Sequence, residues 1–120
     1  MPDIYELKQE SDWDTIIKKS AVPMLIEFYT PWCEPCKELE PVLKKLSKEF
    51  SNVFFYRYDM DKLYYRANVM GIKGVPVIQL LLPPSKTGEE AGIFDQIPGY
   101  VTTDMLRPKL ASLVEKWKGV

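Results

Sequence analysis

The sequence predicts an α/β domain over residues 1–120, built on a largely parallel sheet with helices on both faces. Three observations predict it. Strand-like apolar runs alternate with helical patterns along most of the chain, which requires parallel crossover connections. One run, Met24-Leu25-Ile26-Glu27-Phe28-Tyr29, is nearly continuously apolar, as a strand covered on both faces is. The last two strand candidates follow one another across a turn-rich loop, so they can pair as an antiparallel hairpin.

Ile4-Tyr5-Glu6-Leu7 is the first strand candidate. Ser11-Asp12-Trp13-Asp14 resembles a capping box with Asp in place of Glu, which predicts a helix turning Trp13, Ile16 and Ile17 inward. Pro23 marks the boundary before the 24–29 strand. Beyond the next junction, Leu39, Val42, Leu43, Leu46 and Phe50 recur at helical spacing and form one buried stripe. Pro41 falls inside that helix and predicts a kink. Asn52 closes the helical region, and residues 53–58 read as a second central strand. Asp61 is the candidate cap of a short helix carrying Leu63, Tyr64 and Ala67 and closing near Gly71. Residues 75–82 form a strand whose proline, Pro76, sits at the start, where a missing N–H is tolerated. A loop from Pro83 to Gly92 leads to a returning strand over 93–97. Gly99 precedes a last helix capped by Thr102 or Thr103, with Leu106, Leu110, Leu113, Val114 and Trp117 on its apolar face. Pro108 falls early in that helix and costs it a hydrogen bond if past the first turn. Tyr5, Tyr56, Tyr58, Tyr64 and Tyr65 read as packing residues.

With 46% hydrophobic and 28% charged residues, the composition is that of an ordinary globular domain. A chain of 120 residues buries roughly two-thirds of its unfolded surface. A formal net charge of −1 offers no electrostatic footprint for nucleic acid or an anionic membrane. No apolar run reaches the ~18 residues of a spanning helix, and Met1-Pro2-Asp3-Ile4-Tyr5-Glu6 lacks the basic and apolar regions of a signal peptide. The expectation is a soluble, cytoplasmic protein.

The chemistry rests on Cys33 and Cys36, the only cysteines, at the junction of the 24–29 strand and the following helix. A helix start exposes unpaired N–H groups and the positive end of the peptide dipoles, and both stabilise the thiolate that attacks disulfides. A second thiol three residues later is within reach to close a small ring. Two Cys and no His are too few for a four-coordinate zinc site or a four-cysteine iron–sulfur cluster within one chain. No cofactor is expected beyond the cysteine pair. A purely structural disulfide is the bland alternative, but closing so small a loop removes little chain entropy. The absence of His also removes the usual general base of acyl-transfer chemistry. Dithiol–disulfide exchange is the reading.

At this point the chain resembles the thioredoxin family over essentially its whole length. Phe28-Tyr29-Thr30-Pro31-Trp32-Cys33-Glu34-Pro35-Cys36-Lys37 is similar to that family's active-site segment, and Gly71-Ile72-Lys73-Gly74-Val75-Pro76-Val77 to its cis-proline segment. The resemblance implies a thioredoxin fold, a central mixed five-stranded sheet flanked by four helices. It implies that Cys33 is the exposed nucleophile and that Cys36, more buried, resolves the mixed disulfide. It implies a cis bond before Pro76, which lies against the dithiol, while the Val75 backbone pairs with an extended substrate. Trp32, Ile72, Gly74, Gly99 and Tyr100 are implied to form a flat apolar rim around Cys33. Glu27 interrupts an apolar strand where an unpaired carboxylate is costly to bury. It matches an aspartate thought to exchange protons with the resolving cysteine, and Arg57 matches a lysine often paired with that aspartate. Proton transfer to and from Cys36, and a structural ion pair, are the two readings of Glu27.

The chain also departs from the family pattern. Glu34 stands where most thioredoxins have glycine, and the 83–92 loop is longer than their tight hairpin. Glu34, Pro35 and Arg57 are the expected redox-tuning residues. A carboxylate beside Cys33 disfavours the thiolate and opposes the helix dipole, which predicts a reducing potential. The leading function is a general reductase of disulfide-containing proteins, monomeric, recycled by a thioredoxin reductase or an equivalent dithiol donor. The runner-up is a partner-specific module: a dedicated oxidant, a folding factor or a metal-delivery chaperone.

Overall fold

All six residues of strand β2 (Met24–Tyr29) are buried, because the strand lies at the centre of a sheet covered on both faces. A computed structural model describes residues 4–84 and 92–119. Around β2 the chain runs β1 (Ile4–Glu6), α1 (Trp13–Ile17), β2, α2 (Glu34–Glu49), β3 (Phe54–Asp59), α3 (Tyr65–Val69), β4 (Val77–Leu82), β5 (Gly92–Pro98) and α4 (Thr103–Lys118). The strands lie in the order β1-β3-β2-β4-β5.

β3 runs parallel to both β1 and β2, whereas β4 is antiparallel to both β2 and β5. The sheet is mixed and five-stranded, as the family resemblance implies, whereas the alternation of elements alone points to a more parallel arrangement. The connection from β3 to β4 contains only the five-residue helix α3, and the chain enters β4 from the end at which β3 finished, antiparallel to β2.

Side chains alternate across the strands and feed two cores. Leu25, Phe55, Ile78 and Leu80 pack under α2 and α4 with Leu39, Leu43, Leu46, Leu106 and Leu110. Met24, Ile26, Phe28 and Tyr58 pack on the opposite face with Trp13, Ile17, Leu63 and Ala67. Each such side chain contributes ~1.5–3 kcal/mol relative to exposure.

Several local expectations change. α1 is a single wide turn closed by Lys18 N–H donating to the Trp13 carbonyl at 3.0 Å. In an α-helix Trp13, Ile16 and Ile17 would share one face, but the wider turn carries Ile16 away from it, and Ile16 is exposed. The capping box does not form. Asp12 Oδ2 instead accepts from the N–H groups of Lys8 and Gln9, tying the preceding turn. At the start of α3, Tyr64 and Tyr65 face solvent, so these two are not packing residues, whereas the partly exposed Tyr5 of β1 has its ring 6.2 Å from that of Tyr56. α3 does close near Gly71, whose φ of +75° suits glycine, with Ile72 N–H reaching back to the Ala67 carbonyl at 2.9 Å. β4 begins at Val77, after Pro76.

Pro41 and Pro108 both lie inside helices, and Thr102 caps α4 by accepting from Met105 N–H at 3.2 Å. Residues 85–91 of the long loop, and residues 1–3, lie outside the described residues. Among the described helices none is long and apolar enough to cross a membrane.

Candidate active site

Cys33 is the cap of α2. Its backbone is extended (φ −81°, ψ 114°), and its Sγ accepts the Cys36 N–H at 3.2 Å. One of the unpaired donors of the helix start thus points at the sulfur, the arrangement that favours a thiolate there. Pro35 occupies the first turn, where its missing N–H removes no helical bond. The two cysteines are joined as a disulfide with Cα atoms 5.2 Å apart. Cys33 is 5% exposed and Cys36 1%. The order of exposure is the one expected, but Cys33 is not openly exposed: in this oxidised state Tyr29 and Val75 pack on the pair.

The rim divides. Trp32 is 67% exposed, and its indole N–H donates to Asp61 Oδ2 at 2.9 Å. Asp61 is therefore the anchor of Trp32 and not a helix cap. Gly74 and Tyr100 are exposed and Val75 is half-buried. The Val75–Pro76 bond is cis, and the Pro76 carbonyl accepts from Gly99 N–H at 2.8 Å. Gly99 has φ +82°, a left-handed conformation that favours glycine. Ile72 does not belong to the rim. As the residue after the α3-terminating glycine it folds back on its own helix and is buried in the core with Ala67 and Trp13.

Beneath the dithiol three strands set charges in one row. The parallel registers place Glu6 of β1 and Glu27 of β2 on either side of Arg57 of β3. Glu27 is fully buried, its Oε1 accepts from Arg57 Nε at 2.9 Å, and its Oε2 has no partner. Burial pushes the Glu27 carboxyl above the usual range; Arg57 opposes this, and Glu40 and Glu6 add to it. The Arg57 guanidinium lies 3.6 Å from the centre of the Tyr29 ring. Burial works against its charge, but Glu27 outweighs burial and holds it protonated. A polar groove of about 490 Å3 opens beside these groups, lined by Cys36, Thr30, Glu40 and Asp59 among others.

At the opposite end of the motif, Glu34 is solvent-exposed and pairs with Lys37 Nζ at 3.1 Å. Sequence reasoning passed over Glu6 and Asp61 as members of the site. Nothing in the local pattern marks either one, since their roles depend on which strand lies beside which. Among the described residues no cluster of three or more His, Cys, Asp or Glu side chains is placed to hold a metal ion.

The thioredoxin family model matches residues 4–103. This chain belongs to the thioredoxin family. It is 37% identical over 98 residues to thioredoxin M4 of Arabidopsis thaliana, a chloroplast protein, covering 81% of this chain and 47% of that one. The chain thus spans about half the length of that relative. It is 30% identical over 94 residues to the thioredoxin of Borreliella burgdorferi, covering 78% of each. Among solved structures, Trichomonas vaginalis thioredoxin superposes with a TM-score of 0.77 at 25% identity, over 98% of this chain and 99% of the other. Chloroplastic thioredoxin z has the same fold, with a TM-score of 0.78 at 17% identity over 94% of this chain and 96% of its own.

Proposed function

We propose that this thioredoxin-family chain is a protein-disulfide reductase working by dithiol–disulfide exchange through Cys33 and Cys36. The observation that carries the reading is the Cys33 sulfur at the start of α2, accepting a backbone N–H and already joined to Cys36. In the reduced protein the Cys33 thiolate attacks one sulfur of a substrate disulfide. That S–S bond breaks, and the other substrate sulfur leaves as a thiolate. Glu27 takes the Cys36 proton, and Cys36 then attacks the Cys33 sulfur. The mixed disulfide breaks, the second substrate sulfur leaves, and two electrons have passed to the substrate. The product on the protein is the Cys33–Cys36 disulfide seen here. A thioredoxin reductase or another dithiol donor restores the dithiol.

Trp32, Gly74, Val75, Gly99 and Tyr100 are the proposed contact surface for an extended substrate, with Pro76 shaping it beside the dithiol. The protein acts as a monomer, and the cytoplasm supplies the reducing conditions such a cycle needs. The test is a trap. Cys36→Ser should accumulate mixed disulfides through Cys33 with a disulfide-bearing protein, seen on non-reducing gels and mapped by mass spectrometry. Preferential alkylation of Cys36 over Cys33 in the reduced protein would show that the two roles are reversed. Glu27→Gln should slow resolution of the mixed disulfide by ~100-fold while the first attack is unchanged.

A further inference from the structure

Arg57 is held from three sides, and only one of them is the Glu27 carboxylate. Its Nη1 lies 3.9 Å from Glu6 Oε1, a charge attraction beyond hydrogen-bond range. The same Glu6 oxygen accepts the Tyr29 hydroxyl at 2.7 Å. The Tyr29 ring, in turn, is the platform beneath the guanidinium and packs against Cys33 and Cys36. Glu6 sits on the edge strand, partly open to solvent, whereas Glu27 has no exposure at all. Without its tether, a partly exposed glutamate would gain by leaving Arg57 for water.

We propose that Glu6 and Tyr29 are positioning residues of the exchange site. Held by the Tyr29 hydroxyl, the Glu6 carboxylate takes a share of the Arg57 charge and so sets how readily Glu27 gives up and takes back a proton. The inference rests on the dithiol reading, in which Glu27 accepts the Cys36 proton. The physical logic is competition for one cation. With Glu6 charged and tethered, Arg57 serves two carboxylates, and a second anion lies in the same row of the sheet. Both effects favour the protonated form of Glu27. With Glu6 neutral or released, Arg57 serves Glu27 alone and the carboxylate is favoured. The other charges around Glu27 are Glu40 from α2, with Asp59, Lys37 and Lys62 along the groove, while its β4 neighbour is the uncharged Ile78. None of these changes in the variants below. Burial raises the Glu6 carboxyl as well, against the opposing pull of Tyr29 and Arg57.

The experiment follows the Glu27 carboxyl carbon by NMR across pH in the full chain with the Cys33–Cys36 disulfide intact, where neither cysteine titrates. Glu6→Gln should lower the Glu27 midpoint by on the order of half a pH unit or more. Tyr29→Phe keeps the ring but removes the tether, and should lower the midpoint in the same direction by less. The double variant should match Glu6→Gln alone, because both changes act through one carboxylate. The pH profile of mixed-disulfide resolution should move by the same amount as the NMR midpoint. A role confined to stability would change the unfolding midpoint and leave both titrations in place. An unmoved Glu27 midpoint in Glu6→Gln overturns the proposal, and so does additivity in the double variant. Failure of the reductase reading looks different: wild-type protein that reduces no disulfide, whatever the Glu27 midpoint does.

Discussion

α2 and α3 both start just beyond the end of a central strand, yet the donors at their starts are satisfied in opposite ways. At α2 the partner is the adjacent Cys33, three residues from the N–H it accepts. At α3 the partner is Glu10, more than fifty residues away in the chain. Glu10 Oε2 accepts from Tyr64 N–H at 3.0 Å and Tyr65 N–H at 2.8 Å, and its Oε1 accepts the Tyr58 hydroxyl at 2.9 Å. Tyr58 oxygen in turn accepts from Arg66 N–H at 3.1 Å. A local cap leaves a reactive sulfur in the positive end of a sixteen-residue helix. A remote cap uses a full carboxylate to fasten a five-residue helix that has little stability of its own. One start is built for chemistry, and the other fastens a short helix to the turn before α1.

The sharpest way to separate the two is to change each cap. Cys33→Ser should abolish disulfide reduction outright while leaving the reduced protein folded, because serine is itself a good helix cap. A reduced Cys33→Ser that unfolds in far less denaturant than reduced wild type would mean that the sulfur packs more than it caps. Glu10→Ala should keep the Cys33 chemistry and cost ~2 kcal/mol of stability by stranding several N–H groups and the Tyr58 hydroxyl. Hydrogen exchange should then accelerate at the Tyr65 and Arg66 amides and stay slow along α2. Equal acceleration in both helices would deny that the cap acts locally on α3.

Acid separates the two carboxylates further. Burial works to raise the Glu10 carboxyl, but its donors from Tyr65, Tyr58, Arg66 and Tyr64 outweigh burial and hold it below the usual range. Its stabilisation is thus complete above the ordinary carboxylate pKa and is lost as pH falls through the depressed folded value. Glu27 has the opposite sign. Because the folded state raises its pKa, stability falls as pH rises from the ordinary carboxylate value through the raised one. Denaturant midpoints measured across pH should therefore show a smaller acid-side fall in Glu10→Gln, and a smaller decline on the alkaline side of the carboxylate range in Glu27→Gln, with Glu49 and Glu6 supplying the remainder. Identical profiles for both variants and wild type would contradict both assignments.

The smallest expected effect is at Glu34. Its exposure and its pairing with Lys37 leave little net charge to act on Cys33. Glu34→Gln should raise the potential by only ~10 mV, and the wild-type potential is expected at about −270 mV; equilibration against glutathione checks both. A wild-type value above roughly −200 mV would favour a dedicated oxidant over a reductase.

Much of this was legible in the residues alone. The β2 run, the helical stripe from Leu39 to Leu46, a threonine cap at 102 or 103 and the Gly71 stop act within one or two turns of chain, so their physics is contained in a short window. The Cys33–Cys36 pair at a strand-to-helix junction is likewise local, and the family pattern added the cis bond before Pro76. Other features depend on strand order. β4 enters antiparallel to β2, a choice made by the whole sheet and not by its own residues. Ile72 is buried because the Gly71 turn folds it back onto the helix. Asp61 holds Trp32, and Glu10 holds α3, across gaps of 29 and more than fifty residues. The row Glu6, Arg57, Glu27 exists only because β3 lies between β1 and β2. The sequence by itself determined the elements, the reactive pair and the caps made within a turn. Only the tertiary structure decided which distant charges share a site, because those contacts form where strands meet side by side and no local propensity encodes that neighbour.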